Sequence, residues 1–213
     1  MKLRLKLRDE WVKEVFMKYV KNALCTALIF VMLFSLTGCG TGKLSHKKMA
    51  QFLEKQDLEE CEDLDDYTKI YGKMKKGNEG FISSEGKDAQ KIYNKVFNRL
   101  NQYSKYDVTA ATSAFIYDSD GLNYLFMFTF EDEKDAEKFY KKLSKSIDDP
   151  DDEGEEKGLR FTLLNQKKNT KKSYITGIYL EKNTVLFLRG QTTDEDFADD
   201  LCAEFKIPSP FDT

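Results

Sequence analysis

The chain reads as an α+β protein, an antiparallel sheet with helices mainly on one face, and three observations predict it. Apolar residues Ala89, Ile92, Tyr93, Val96, Phe97 and Leu100 recur at helical spacing. Residues 112–117 and 122–130 alternate at period two around Asp118-Ser119-Asp120-Gly121, a hairpin signal with an Asp-Gly turn. A strand–turn–strand–helix order then occurs twice in the C-terminal half, which suits a sheet layered against helices.

In chain order, Ser45 stands where a helix cap belongs, and Met49, Phe52 and Leu53 follow at helical spacing. With a break, that pattern extends through Leu58, Cys61 and Leu64. Residues 67–80 are lysine-rich and punctuated by glycine, with Tyr71 and Met74 as packing residues, and Gly80-Phe81-Ile82 reads as a short strand. The helix from Lys87 to Leu100 has the clearest stripe, with Ser84 or Asp88 near its start.

The second strand of the first hairpin carries Tyr124, Phe126, Phe128 and Phe130 on one face and Leu125 and Met127 on the other. Two apolar faces predict a central strand. Asp132 caps the next helix, whose stripe is Ala136, Phe139, Tyr140 and Leu143. Residues 147–158, IDDPDDEGEEKG, read as a solvated acidic loop, and residues 159–164 as an edge strand. Residues 174–180 and 184–189 form the second hairpin, around Glu181-Lys182-Asn183. Thr193-Asp194-Glu195-Asp196 opens a helix with Phe197, Ala198, Leu201, Cys202 and Phe205 on its apolar face. Three helices on one face, over 87–100, 132–143 and 194–205, would leave the other covered only by residues 45–64 or partly open. A partly open face points to a partner-binding or self-associating surface centred on Leu125, Met127 and one of Tyr174 or Tyr179.

The N-terminus has a different character. Lys18 and Lys21 precede an uncharged, mostly apolar run over residues 23–36, followed by Leu36-Thr37-Gly38-Cys39. Basic residues, a short apolar run and small residues at a cleavage point make a secretory signal. A spanning helix needs roughly 20 apolar residues, more than this run supplies. The tetrad resembles the lipobox of bacterial prolipoproteins. That resemblance implies a diacylglycerol on the Cys39 thiol, cleavage before it, and a lipid anchor on the extracytoplasmic face of the cell membrane. It divides the chain into a signal peptide at 1–38, a lipidated tether at 39–44 and a single α+β extracytoplasmic domain at 45–213. Acidic residues Asp9, Glu10 and Glu14 sit oddly in such a leader, and Met17 offers a cleaner start. The body is similar in general character to small lipoproteins of Gram-positive bacteria.

Residues 1–38 hold seven basic and three acidic residues, so the totals of 34 and 37 fall to 27 and 34 without them and the net charge is about −7. Such a surface argues against nucleic acid, whose binding rests on Lys and Arg neutralising phosphates. It also argues against adsorption to anionic lipid. The two acyl chains of a diacylglycerol meet the requirement for stable anchoring. An extracytoplasmic setting permits a Cys61–Cys202 disulfide, which would contribute about 4–5 kcal/mol in the chain-entropy model. A buried free Cys202 is the alternative.

Few constellations suggest chemistry. The acidic loop imitates a calcium loop at Asp149, Asp151, Glu153 and Gly154, but the twelfth position is Arg160 where a bidentate carboxylate belongs. His46, the single histidine, reads as a surface residue, and without a second histidine or a cysteine pair a transition-metal site lacks its usual ligands. No cofactor motif is present, and Ser83-Ser84-Glu85-Gly86 lacks nucleophile-elbow spacing. The sequence therefore favours a lipid-anchored, non-catalytic interaction module that binds a protein partner or itself. A carboxylate-dependent hydrolase and a small ligand-binding lipoprotein are the alternatives.

Overall fold

A computed structural model describes residues 42–72, 75–97, 106–117, 121–168, 172–192 and 196–213. The expected signal peptide, Cys39, Met74, Leu100, the turn at residues 118–120 and the expected helix opening at 193–195 lie outside them. The unit Gly42–Thr213 is compact. Its elements run α1 (His46–Lys55), α2 (Leu64–Gly72), β1 (Asn78–Glu85), α3 (Gly86–Phe97), β2 (Val108–Tyr117), β3 (Gly121–Phe130), α4 (Glu133–Ser144), β4 (Asp152–Glu156), β5 (Leu159–Lys168), β6 (Lys172–Glu181), β7 (Thr184–Thr192) and α5 (Asp196–Phe205).

The seven strands form one antiparallel sheet in the order β1-β2-β3-β7-β6-β5-β4, an α+β fold. Alternation places Phe126 opposite Phe187 and Phe128 opposite Val185 on one face. Leu125 meets Leu188 and Met127 meets Leu186 on the other. Phe126 and Phe187 stack with ring centroids 4.5 Å apart and planes within 1° of parallel.

Because β3 and β7 are apolar on both sides, both faces require cover. Helices α2, α3 and α4 cover the first, through Tyr67, Ile92, Tyr93, Phe139 and Leu143. Helices α1 and α5 cover the second, through Met49, Phe52, Leu53, Leu201 and Phe205. Phe52 touches both Phe197 and Phe205, which joins those two helices.

Residues 45–64 do cover this face, through α1, but α5 joins them there, so the partly open face is corrected. Leu125 and Met127 are 1% and 0% exposed, beneath α1 and α5. Tyr179 is fully buried on the same face, where its hydroxyl donates to the Pro208 carbonyl at 2.8 Å. Gly177 makes room for that ring, since a Cβ there would lie 2.5 Å from the Tyr179 hydroxyl. Tyr174 is half-buried and, five positions along β6, points to the opposite face.

Local chemistry explains most element ends. Asp132 caps α4 by accepting the Lys134 N–H at 2.8 Å. Ser45 is the N-cap of α1 in extended conformation, with no side-chain cap bond. The acidic segment is not wholly a loop: Asp152–Glu156 pairs with β5 as the true edge strand, so residues 159–164 lie one strand inside it. Lys157 and Gly158 turn that hairpin with φ of 53° and 80°, the positive values a two-residue turn requires. Its exposed carboxylates suit an edge that must not pair with a neighbour.

Candidate binding groove beside the sheet edge

Among the predicted site residues, the cysteines separate. Cys61 packs against the cluster under α2, α3 and α4, while Cys202 belongs to the cluster under α1 and α5. Both thiols are free, so the sheet between them rules out the expected bridge. Burial and the nearby Asp66, Asp63, Glu59 and Glu60 carboxylates raise the Cys61 thiol above its ordinary value. Burial pushes Cys202 up to about 12. Both should therefore alkylate in denatured, unreduced protein, with half-buried Cys61 reacting first in the native fold. A Cys61–Cys202 linked peptide in a mass spectrum would contradict this.

His46 is not the surface residue its sequence neighbours suggest. It opens α1, and its imidazole lies between Thr112 Oγ1 at 2.8 Å from Nδ1 and Thr129 Oγ1 at 3.0 Å from Nε2. Thr112 continues to Ser83 Oγ at 2.8 Å, and Thr129 to Thr184 Oγ1 at 2.9 Å. A hydroxyl chain thus crosses β1, β2, β3 and β7 with His46 at its centre. Desolvation lowers the imidazole to about 4, which keeps it neutral at physiological pH. With both ring nitrogens engaged, it serves as a structural link.

A groove of about 1010 Å³ runs along β1. Ile82, Ser83 and Ser84 of β1 contribute to its lining, α3 provides one wall through Ile92, Lys91 and Lys95, and residues 60–65 provide the other. The segment before α2 lies against the edge of β1 as a short parallel bridge, Glu60 opposite Phe81. There the Cys61 N–H donates to the Phe81 carbonyl at 2.8 Å, and the Phe81 N–H donates to the Glu59 carbonyl at 3.1 Å.

The groove is acidic. Lys91 pairs with Asp88 at 2.7 Å and Lys95 with Asp65 at 3.9 Å. Asp63 accepts the Asp66 N–H at 2.8 Å, which caps α2. Glu60 and Glu62 are exposed on the same rim. Among the described residues, no group of three or more His, Cys, Asp or Glu converges on a metal site. Sequence reading missed the groove because three segments build it, each unremarkable alone. The signal available was Gly80-Phe81-Ile82, a short strand whose place beside Cys61 only the structure shows.

Comparison with known proteins adds little. No protein-family model matches the chain, and no curated protein matches it. A solved structure of a GTP binding regulator from Thermotoga maritima is similar at 12% identity and a TM-score of 0.37, covering 67% of this chain and 89% of that one. That likeness is too slight to carry an argument.

Proposed function

We propose that this chain is a lipid-anchored protein of the bacterial cell envelope whose folded unit holds a partner in the groove beside β1 without acting on it chemically. The observation that carries the binding role is the groove itself, a cavity of about 1010 Å³ opening along a partly covered strand edge. The anchoring role rests on Leu36-Thr37-Gly38-Cys39. Leu44, five residues after Cys39 in sequence, is buried, and its N–H donates to Glu181 Oε2 at 2.8 Å, so a lipid on Cys39 would be tied closely to the folded unit. No described helix is long and apolar enough to cross a membrane.

The groove's chemistry suits holding better than catalysis. Within the groove, Cys61 carries a raised thiol, and Asp65 and Asp88 are held by lysines.

Two measurements test the reading. Cys39→Ala is expected to abolish lipid labelling and leave an uncleaved or freely released species. A variant that is processed and fractionates with membranes like the parent would refute the anchor. For the groove, Cys61 should alkylate more slowly in native membranes than in the detergent-purified protein. Equal rates would refute an occupied groove.

A further inference from the structure

We infer that the groove takes an extended peptide segment bearing lysine or arginine, which adds to the edge of β1 at Ser83. This rests on the reading of the groove as a binding site and names its ligand class.

The edge supplies the first argument. In an antiparallel strand, backbone groups that do not pair with the neighbour point outward at every second residue. Phe81 directs its N–H and carbonyl outward, to Glu59 and Cys61. The next outward pair belongs to Ser83, on the groove lining. The chain's own cover stops short of it, because after Cys61 the backbone turns into α2, whose first turn is capped by Asp63. Residues 59–61 thus show how a strand lies on this edge, and the groove continues the track beyond them. Strand addition at an open edge is a general mode of peptide recognition, in which main-chain bonds give affinity and alternate side chains give specificity.

Charge supplies the second argument. Five carboxylates border the groove (Glu60, Glu62, Asp63, Asp65 and Asp88) against two lysines. Both lysines are already paired, so the excess is negative where an incoming strand would project its side chains. Leu64, Ile82 and Ile92 provide apolar surface for the residues between the cationic ones. A strand alternating apolar and basic residues therefore matches the groove on both counts.

The test uses the full-length protein in a neutral detergent, with Cys61 alkylation as the readout. Three probes are compared: a short capped peptide alternating lysine and valine, its glutamate–valine counterpart, and the lysine peptide N-methylated at alternate backbone amides. The lysine peptide is expected to slow alkylation, and the other two are not. Reversing charge in the double variant Glu60→Lys, Glu62→Lys should weaken that protection about tenfold, more at low salt than at high. Both residues are exposed, so the variant keeps the fold.

Protection by the glutamate peptide overturns the cationic class, and protection by the methylated peptide overturns strand addition. If no probe protects Cys61 but native membranes do, the ligand class is wrong and the groove reading stands. If native membranes give no protection either, both fall.

Discussion

Replacing Met127 with lysine is expected to unfold the domain. Met127 is 0% exposed, with Thr112 and Leu186 as its register partners and α1 and α5 above it. A lysine there must bury an ammonium with no carboxylate beside it, or break the cover of two helices to reach water. Either route costs more than about 5 kcal/mol, and domains of ordinary stability have only about 5–15 kcal/mol in total. Met127→Leu, which keeps the volume and the apolar character, should cost less than about 1.5 kcal/mol. Circular dichroism and urea titration of both variants decide the matter. A folded Met127→Lys protein of near-parental stability would show that the second sheet face is open to solvent after all.

Acidification should remove roughly 3 kcal/mol of stability between pH 6.5 and pH 4, through His46 alone. The folded imidazole titrates at about 4 and the unfolded one near 6.5, so within that window the unfolded chain binds more protons. Stability therefore rises with pH across the window, is complete above it and is lost as pH falls through it. The cause is specific: Thr112 and Thr129 satisfy a neutral ring but offer no negative charge to compensate a cation. His46→Gln cannot titrate and should flatten the slope in this range. Glu137, held below its ordinary value of 4.5 by Arg160 and Lys141, adds to the loss only at the acid end of this window and below, and is shared by both proteins. Urea midpoints at several pH values measure the effect. A parent protein with no slope, or a glutamine variant with the same slope, would refute it.

Much of this fold was legible because its elements follow strong periods. Both hairpins, the Asp132 cap and the stripes of α3, α4 and α5 came from spacing alone. What spacing cannot supply is the face on which a helix lands. The stripe Ala198, Leu201, Cys202 and Phe205 is correct, yet α5 joins α1 on the second face, and that placement buries Leu125, Met127 and Tyr179 and separates Cys202 from Cys61. Strand β4 escaped notice for a different reason. DEGEE has no apolar alternation because an exposed edge strand buries neither face. His46 was misread because its partners lie 66 and 83 residues away, beyond any local pattern.

The two rims of the sheet carry the same sign, and that bears on crowding. At one rim is β4, exposed and rich in carboxylates; at the other, Glu59, Glu60 and Glu62 border β1. Copies packed side by side would meet rim to rim as like charges, which repel at the distance where strands would otherwise join. Sheet growth by copying is the route to cross-β aggregates, and it needs a compatible edge on each neighbour. Here neither edge suits the other. A strand of opposite charge would not meet that repulsion, whereas copies of this chain would, so the protein could be concentrated and remain a population of separate molecules.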